Sequence, residues 1–401
     1  MNILFLSIGP LSHMESNGIY TDLLREFKNN GHSVTVIGQR ERRLGLPTER
    51  SEEAGINVIR VKTGNITKVN LIEKGISTLL IEYQYLNAIK KYLKDEKFDL
   101  VLYTTPPITF AKVIQYIKKT GQAKSYLLLK DIFPQNAVDL GMFSKKSIFY
   151  KIFRQKEIEL YKQSDYIGCM SEANVQHVIE HNPYIDAKKI EVCPNSIQVQ
   201  EISKDDTQVK AIKQKYGIPQ DKCVCIYGGN LGKPQGIDFL IECIKANKDN
   251  QEVFFLIVGS GTEYNKIENF MNSEQINNAK LYDQLPKEEY EVLANSCDVG
   301  LIFLDKRFTI PNFPSRLLSY MQASIPVLAA TDVNTDIGQV ITDGGFGFWA
   351  ESGNLEAFNK QLDKLTKDKE IREDMGIRGN EYLQQHYTVE NSYEIIMKHF
   401  K

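Results

Sequence analysis

The 401-residue chain has few cysteines and no long apolar run. Its six cysteines are scattered without C-x-x-C spacing, which argues against a disulfide framework and favours reduced thiols in a cytoplasm. No apolar stretch approaches the roughly 20 residues that span a bilayer. The first residues, Met1 to Ile8, carry no basic leader and are typical of a buried strand rather than of a signal peptide. We therefore expect a cytoplasmic protein that can touch a membrane only peripherally.

The chain also lacks a strong excess of charge of either sign, since its formal net charge is -2. Residues 1–198 carry a surplus of Lys and Arg, and the remainder carries a surplus of Asp and Glu. This asymmetry suggests that the first half meets an anionic partner such as a lipid surface or a pyrophosphate, although chance surface composition explains it equally well. No nucleic-acid partner is expected.

Short apolar runs alternate with longer helical patterns in both halves of the chain. Apolar strands between amphipathic helices are typical of a parallel sheet covered on both faces, so we expect an α/β fold with two doubly wound, Rossmann-like domains. The strands are predicted at 3–7, 33–37, 58–61, 100–103, 223–227, 253–258, 278–282, 299–303 and 327–330. The helices are predicted at 20–29, 73–94, 236–246, 262–272, 286–295 and 314–323.

A polar segment at 198–207 has no buried-strand pattern and is predicted to be the linker between the domains. The first domain then covers 1–198 and the second covers 199–385, while the segment 386–401 is expected to cross back to the first domain. Two similar open sheets in one chain usually hold a ligand in the crevice between the carboxyl ends of their strands.

The stretch from Ile310 to Ala329 predicts a loop, a helix and a buried strand in quick succession. We predict that the helix starts at Pro314, because proline is tolerated in a first helical turn. Free N–H groups and the positive end of the helix dipole would then face the preceding crevice, with the charge of Arg316 beside them. This arrangement suits a phosphate, and an ordinary loop and helix with a solvated arginine is the equal alternative.

Two glycine turns follow the first two strands of the second domain. The first contains Gly229, Asn230, Gly232 and Lys233, and the second contains Gly259 and Gly261. Glycines let backbone amides approach a diphosphate, and Lys233 supplies a countercharge. The first turn matches neither the dinucleotide nor the Walker pattern, so a plain tight turn explains it as well. Three turns at one sheet edge, however, favour a nucleotide diphosphate site.

The order of these motifs resembles the retaining glycosyltransferases of family four, which have the two-domain GT-B fold. The resemblance covers nearly the whole chain and looks strongest for the branch that includes L-fucosamine transferases of bacterial surface polysaccharide assembly. It rests on the segments Gly229–Lys233, Val258–Gly261, Leu285–Glu289, Asp298–Leu301, Phe313–Arg316 and Pro326–Leu328, and in the first domain on Thr104–Pro107, Asp131–Asn136 and Val192–Ser196.

The resemblance implies that the second domain binds the sugar nucleotide, expected to be a UDP-sugar, with Arg316 and Lys233 acting on the leaving diphosphate. Stabilising the growing negative charge of that group would lower the barrier by about a few kcal/mol. It further implies a donor site formed by Gly18, Gly229, Asn230, Gly232, Lys233, Gly259, Gly261, Tyr282, Leu285, Phe313, Pro314, Ser315, Arg316, Leu317 and Ser319. The chain has no Asp-x-Asp pair and no histidines with ligand spacing, so no metal and no cofactor is expected.

One departure concerns the Glu-x7-Glu pair that many family members carry, because here the two positions are Pro311 and Ser319. The second carboxylate usually accepts hydrogen bonds from the ribose hydroxyls, a role that Ser319 could fill only as one neutral acceptor. The identity of the sugar is therefore left open, and a catalytically degenerate copy of the enzyme is a further alternative.

In the first domain, the family resemblance points to the loop after the first strand and to the end of a later strand. Gly18 is expected near the donor phosphates, and His13, Asn17 and Thr105 near the acceptor. Asp131 ends an apolar run, so it falls at a strand's carboxyl edge, where it can position an acceptor hydroxyl or oppose oxocarbenium charge. Alternatively, His13 is simply solvated and Asp131 caps the turn at Pro134.

Residues 141–162 mix aromatic and basic side chains, which is typical of amphipathic helices that bind anionic lipid headgroups. The polysaccharide branch suggests a polyprenyl-pyrophosphate-linked saccharide as the acceptor, in capsule, O-antigen or exopolysaccharide synthesis. The protein would then lie on the inner face of a bacterial cytoplasmic membrane. A helix that packs on the first sheet with snorkelling lysines explains the same pattern.

Two other classes of protein remain open on the sequence. One is a sugar-nucleotide epimerase on a similar frame, which would convert the donor without an acceptor. The other is a non-catalytic two-lobed binder, against which the phosphate-directed pair of Lys233 and Arg316 argues.

Overall fold

The computed structural model describes residues 1–9, 11, 13–67, 69–200 and 206–400. Its contacts divide the chain into two compact units, Met1–Gln198 with Val389–Lys401, and Val199–Thr388. The returning segment was predicted from residue 386, but His386 still lies in a helix of the second unit. Most of the predicted polar linker, residues 201–205, lies outside the described residues.

The first unit alternates strands and helices along almost its whole length. Its elements are β1 (Asn2–Leu6), α1 (Ile19–Asn29), β2 (Ser33–Glu41), β3 (Glu49–Glu53), β4 (Ile56–Thr63), α2 (Leu71–Tyr92), β5 (Leu100–Thr104), α3 (Ala111–Gly121), β6 (Lys124–Leu129), α4 (Gln135–Asp139), α5 (Ile148–Gln163), β7 (Tyr166–Cys169), α6 (Glu172–His181) and β8 (Ile190–Val192).

These strands form one eight-stranded sheet in the order β3-β4-β2-β1-β5-β6-β7-β8. All neighbours pair in parallel except β3 and β4. The antiparallel β3 was not predicted, because its sequence from Glu49 to Glu53 is polar throughout. A short charged strand is a usual way to protect a sheet edge from pairing with another chain.

Helices cover both faces of this sheet, as a doubly wound fold requires. On one face, α2, α3 and α5 bury apolar residues such as Tyr85, Ile114 and Leu160. On the other face, α1 packs beneath the carboxyl-terminal helix of the chain, where Phe27 and Ile396 are fully buried.

The second unit repeats the same alternation. Its elements are α7 (Asp206–Lys215), β9 (Cys223–Asn230), α8 (Ile237–Ala246), β10 (Val253–Ser260), α9 (Tyr264–Ser273), β11 (Ala279–Tyr282), α10 (Lys287–Asn295), β12 (Val299–Phe303), α11 (Arg316–Gln322), β13 (Val327–Thr331), α12 (Ile337–Asp343), β14 (Gly347–Glu351), α13 (Leu355–Lys367) and α14 (Lys369–His386), followed by α15 (Val389–Met397) of the first unit.

The second sheet is six-stranded and parallel, in the order β11-β10-β9-β12-β13-β14. Numbered within the unit, this is 3-2-1-4-5-6, the strand order of Rossmann folds, whose ligands bind where the order reverses. The reversal falls between β9 and β12 here, and between β1 and β5 in the first unit. The predicted fold class, two Rossmann-like α/β domains, is confirmed.

Three predicted segments differ from the structure. Helix α11 begins at Arg316 rather than at Pro314, since the carbonyl oxygens of Pro314 and Ser315 accept the first helical hydrogen bonds. Residues 141–147 precede α5 without helical structure. Part of the predicted linker forms α7. Throughout the described chain, no helix combines the length and apolar character needed to cross a membrane.

Candidate functional site

The side chain of Tyr320 lies between β9 and β12, where the second sheet reverses its strand order. Strands β9 and β12 pair over only two residues, Val299 with Cys225 and Gly300 with Ile226. Beyond this point, the hydroxyl of Tyr320 on α11 accepts from the Gly228 N–H at 3.1 Å and lies 3.2 Å from the carbonyl oxygens of Ile226 and Leu301. The side chain therefore satisfies the backbone groups that the parting strands leave unpaired.

The predicted glycines lie at the exposed carboxyl ends of β9 and β10. Gly229 has φ of 119°, a backbone conformation that residues with a Cβ rarely adopt. A Cβ at Gly259 would overlap the carbonyl oxygen of Gly229, and one at Gly261 would overlap that of Leu231. Glycine thus lets the two turns pack directly against each other, which leaves the backbone of Gly229 and Asn230 accessible.

Arg316 lies directly beneath this exposed backbone. Its guanidinium carbon is 4.3 Å from the centroid of the Tyr227 ring, and its Nη2 donates to Gln235 Oε1. Nη2 would be 3.7 Å from a Cβ at Gly229, so the absence of a side chain there leaves the guanidinium uncovered on that side. Nη1 is buried and has no hydrogen-bond partner among the described residues.

Three tyrosines surround this arginine. Burial by itself lowers the pKa of Arg316, but the hydroxyl groups of Tyr227, Tyr320 and Tyr290 outweigh that effect, and the net pKa is raised above its ordinary value. Burial raises the pKa of Tyr320 to about 12, so the phenols stay neutral. The site therefore holds one permanent positive charge without a carboxylate among its contacts in the described residues.

Lys233 faces a different part of the same loop. It is exposed and lines a cavity of about 250 Å³ together with Ile237, Asp238, Glu263, Lys266, Asp305 and Arg307. Lys266 pairs with Asp238 and Glu263, and Arg307 pairs with Asp305. Lys233 makes no ion pair within the described ranges, so its charge is available. The structure gives no contact between Lys233 and Arg316, which were predicted to act as one pair.

The start of α11 offers less to an anion than the sequence suggested. The helix has only seven residues, and the Leu317 and Leu318 N–H groups donate to Pro314 and Ser315 oxygens. The side chain of Leu317 is fully buried, so its predicted contact with the donor is not supported. Ser315 and Ser319 are exposed and accessible.

The remaining residues of this segment are placed mainly by packing. Phe313 and Pro314 are half-buried, and the Phe313 ring lies 6.2 Å from that of Tyr387. Pro311, one of the two positions where a carboxylate was expected, is buried.

Tyr282 and Leu285, two residues of the predicted donor site, lie at the end of β11 and in the turn that follows it at the edge of the sheet. The Tyr282 hydroxyl donates to the Tyr216 carbonyl oxygen at 2.7 Å, so its polar atom is already used within the protein. Leu285 is half-buried. Gln284, which sequence reasoning missed, lies between them and reaches Ser260 at 3.5 Å, linking this turn to the end of β10.

In the first unit, the loop after β1 is fixed by an arginine and an aspartate of α1. Arg25 donates to Asn17 Oδ1 and to the Met14 carbonyl oxygen, and it pairs with Asp22 at 2.6 Å. Asp22 also accepts from the Gly18 N–H. Asn17 therefore takes part in fixing this loop, and its predicted contact with the acceptor stays a prediction. Gly18 has an extended φ of 168°, so backbone strain does not require glycine there.

Thr105 and Asp131 lie together at the ends of β5 and β6. Thr105 is buried, and its hydroxyl accepts from the Lys130 and Asp131 N–H groups at 3.0 and 3.2 Å. This hydroxyl fixes the backbone at Asp131, and the predicted contact of Thr105 with the acceptor stays a prediction. Asp131 accepts from Asn136 Nδ2 at 2.7 Å, and Pro134 occupies the N-cap position of α4, so Asp131 is not that helix's N-cap.

Burial gives this sheet end two perturbed ionisable groups. It raises the pKa of Asp131 above its ordinary value, although the charge of Lys74 and the Asn136 hydrogen bond act in the opposite direction. Burial also lowers the pKa of Lys130 to about 8. Lys130, whose Nζ donates to the Cys193 carbonyl oxygen at 3.2 Å, was missed because it looks like an ordinary strand-end lysine. Perturbed pKa values of this kind cluster at functional sites.

His13 is exposed, and its ring lies near the carboxylates of Glu15 and Glu53. Glu53, however, pairs with Arg60 at 2.5 Å and accepts from the Met14 N–H. Arg60 is the main cause of the lowered pKa of Glu53. The Glu53 carboxylate is thus already paired within the protein and is less available to a cation.

Comparison with known proteins follows the division into two units. Residues 19–201 match the family model described as Glycosyltransferase Family 4, and residues 208–382 match the one described as Glycosyl transferases group 1. The chain is similar to the probable glycosyltransferase WbjE of Pseudomonas aeruginosa, with 24% identity covering 74% of this chain and 73% of WbjE. It is also 21% identical to WcaI of Escherichia coli, described as a colanic acid biosynthesis glycosyl transferase, over 65% of this chain and 64% of WcaI.

Solved structures show the same fold over the full length. The lipopolysaccharide-biosynthesis glycosyltransferase WaaG matches with a TM-score of 0.69 and 15% identity, covering 98% of this chain and 99% of WaaG. Anabaena HepE, solved with UDP and glucose, matches with a TM-score of 0.73 and 14% identity, covering 100% of this chain and 99% of HepE.

Proposed function

Since the chain belongs to the GT-B glycosyltransferases of group 1 and family 4, we propose that it transfers a sugar from a UDP-sugar to a lipid-linked saccharide with retention of configuration. The donor is a hexose or N-acetylhexosamine, and the acceptor is carried on a polyprenyl pyrophosphate. The names of WbjE, WcaI and WaaG support a place in the assembly of a bacterial surface polysaccharide such as capsule or O-antigen. HepE, crystallised with UDP, supports the uridine base.

The observation that carries the donor proposal is Arg316 beneath Gly229. Its charge is permanent, it contacts tyrosines and Gln235 rather than a carboxylate, and its Nη1 has an unused donor within the described residues. An unpaired buried cation costs free energy unless a ligand compensates it, and a diphosphate supplies the matching charge. The site lies at the reversal of strand order, where doubly wound sheets bind their ligands.

We assign Arg316 to the diphosphate, with Lys233 completing the charge from the other side of the turn. The exposed backbone of Gly229, Asn230 and Gly261 would face the same group, while Gly232 and Gly259 are buried and would shape the two turns. Ser315 and Ser319 would reach the diphosphate or the ribose through their exposed hydroxyls. Arg316 would stabilise the leaving diphosphate as the bond to the sugar breaks.

For the reaction itself we propose displacement on one face of the sugar. The bond between the anomeric carbon and the phosphate oxygen breaks while a bond to the acceptor oxygen forms on the same side, and the acceptor proton passes to the departing phosphate oxygen. Asp131 would orient the acceptor or oppose the positive charge that develops on the sugar ring. The hydrogen bonds that Asp131 makes with Thr105 and Asn136 support this proposal, because they restrict its position.

The test is incubation with a panel of sugar nucleotides, followed by detection of slow donor hydrolysis and of transfer to lipid-linked acceptors. Arg316→Lys keeps a positive charge but loses the planar fork of donors. We expect it to lower kcat/KM for the donor about 10- to 100-fold, as the loss of a charged hydrogen bond implies. Arg378→Lys is the matched control, because Arg378 lies on the exposed surface of the same unit, paired with Asp374.

Three results would contradict the proposal. Donor isomerisation without an acceptor would indicate an epimerase, and an inverted product linkage or a glycosyl-enzyme adduct would exclude displacement on one face. Equal activity of Arg316→Lys and Arg378→Lys would remove Arg316 from the donor site.

A further inference from the structure

Helix α2 is apolar on two opposite faces. One face, with Ile81, Tyr85 and Ile89, is buried in the core of the first unit. The other carries five large apolar side chains that remain exposed, with 75% of Ile72 and 64% of Tyr83 accessible to solvent. These five residues are Ile72, Ile76, Leu79, Leu80 and Tyr83. A helix with apolar residues on both faces is usually buried on both faces. The exposed apolar face of α2 is therefore expected to be covered by another molecule.

The five residues form one stripe rather than a scatter. Their spacing of four, three, one and three positions repeats the helical period, so they follow each other along a single side of α2 over three turns. Isolated apolar side chains are normal on protein surfaces, but contiguous apolar patches of this kind mark a surface for binding another molecule.

A second apolar group lies at the start of α5. Ile148, Phe149 and Ile152 occupy its first two turns and are also exposed, at 64%, 60% and 42%. The sequence predicted a basic, aromatic helix in this region, but it gave no indication that α2 contributes. We call the two groups together, residues 72, 76, 79, 80, 83, 148, 149 and 152, the apolar rim.

The contacts of Glu82 show that both groups of the apolar rim lie near the same edge of the first sheet. Its carboxylate accepts from the Lys112 N–H in the first turn of α3 at 2.7 Å and lies 3.9 Å from Lys156 Nζ on α5. Most of the rim precedes Glu82 on α2, and all of its α5 part precedes Lys156. Because helices that connect parallel strands run opposite to those strands, the helix starts lie at the carboxyl edge of the sheet, where Asp131 is placed.

Positive charge accompanies the rim. Lys74, Lys145, Lys146 and Lys151 are exposed and form no ion pairs within the described ranges. Of the carboxylates on the same helices, Glu73 pairs with Arg42 and Glu157 with Arg154, while Glu82 and Glu159 share Lys156. The rim therefore combines apolar side chains with exposed lysines that form no ion pair within the described residues.

We propose that the apolar rim docks on the surface of a bilayer that contains anionic lipid. The apolar side chains enter the boundary between headgroups and acyl chains, and the four lysines meet the lipid phosphates. A second copy of this chain is a poorer occupant, because a symmetric contact through the rim would gather the lysines of both copies in one interface without added negative charge. This docking rests on the proposed function for its purpose, since it brings the Asp131 end of the sheet to a lipid-linked acceptor.

The test is co-sedimentation with vesicles of phosphatidylcholine alone and with added phosphatidylglycerol, without donor or acceptor. We expect binding to the anionic vesicles that weakens with salt, and a fall of about tenfold in the partition coefficient for Ile76→Gln and again for Leu80→Gln. Ile377→Gln on α14 is the matched control, because Ile377 is 57% exposed and Ile76 is 56% exposed. Exchanging Lys145 and Lys146 for Gln should remove the preference for anionic vesicles.

A thermal melt of each variant checks folding, and the emission of Tyr83→Trp gives a second readout. We expect that emission to shift to shorter wavelength with anionic vesicles. Absence of vesicle binding by the wild type, or equal loss in Ile377→Gln, would overturn the proposal. So would a dimer in sedimentation velocity that Ile76→Gln dissociates. UDP binding is measured separately, so a protein that binds vesicles but no donor would contradict the proposed function and leave the rim intact.

Discussion

At the residue scale, the two candidate centres use burial in opposite ways. Arg316 keeps its charge because tyrosine hydroxyls and Gln235 surround it, whereas burial raises the pKa of Asp131 towards the neutral form. The first arrangement offers a fixed charge to an anion. The second makes a carboxylate sensitive to pH.

We therefore expect the rate of transfer to fall at acid pH as Asp131 takes up a proton, which gives the pH profile an acid limb. Its pKa in the folded protein is raised, so the carboxylate takes up a proton at a higher pH than an exposed aspartate does. If the ionised form is required, kcat is full above this raised pKa and falls as the pH drops through it. We expect Asp131→Asn to lower kcat by about 10²- to 10⁴-fold and to abolish that limb, measured as kcat against pH.

The control for this prediction is Asp95→Asn, since Asp95 is exposed in a loop of the same unit. An acid limb that survives unchanged in Asp131→Asn would assign the titration to another group. Normal turnover by that variant would remove Asp131 from the mechanism.

Sequence reasoning found the residues whose chemical type is unusual for their position. Glycines at strand ends and an arginine after a Phe-Pro-Ser segment can be recognised from the sequence alone. Tyr227, Tyr290 and Gln235 were missed because they come from separate elements and are ordinary residues in each. The hydrogen bonds that Thr105 and Asn17 make within the protein were not foreseen either, because the sequence does not show which loops face them.

At the element scale, the packing of α11 against the parting strands β9 and β12 defines the candidate donor site. Tyr320 hydrogen-bonds the backbone at the split, and its ring occupies the space that a Cβ at Gly300 would need. This places Arg316, one turn earlier on the same helix, beneath Gly229. The position of the arginine thus depends on the tyrosine.

Tyr320→Phe should cost about 1–3 kcal/mol in the free energy of unfolding, because the Gly228 N–H would stay buried without a partner. Urea unfolding measures this cost. Tyr83→Phe is the control, since the Tyr83 side chain is largely exposed and its hydroxyl can bond to water. Equal stability of both variants would show that water replaces the Tyr320 hydroxyl at the split.

The prediction of elements was incomplete, because helices such as α3 and α13 were not predicted although their buried residues repeat with the helical period. The nine predicted strands are all present in the structure, with ends shifted by a few residues. Strand β3 was missed because a charged edge strand has no apolar face to reveal it. The start of α11 was misplaced because a proline is tolerated in the first turn of a helix but does not fix where that helix begins. The hydrogen bonds of the local carbonyl groups decide its first residue.

At the scale of the whole molecule, the chain returns to its first unit after completing the second. Helix α15 packs on α1, where Tyr393 contacts Phe27 and hydrogen-bonds His32 at 3.0 Å. The Val389 N–H donates to the Ile197 carbonyl oxygen, so the return begins beside the point where the chain left. The alternation of strands and helices predicted two such domains, but the strand order that creates the switch points required the structure.

Ile396→Ala should destabilise the first unit by about 2–5 kcal/mol, because Ile396 is fully buried against α1 and leaves a cavity when shortened. Hydrogen exchange should show faster exchange in α1 and β2 and unchanged exchange in β9 and β10. The exposed Ile377→Ala provides the comparison. Loss of protection spread equally over both units would contradict this assignment of α15.

The return of α15 has a consequence for the order in which the protein is made. On the ribosome, residues 389–397 appear only after every residue of the second unit. Until then, the face of α1 that carries Phe27 has no cover, although the rest of the first unit has long been synthesised. The unit that is translated first is therefore the last to be completed, and its uncovered face is a natural substrate for a chaperone during synthesis.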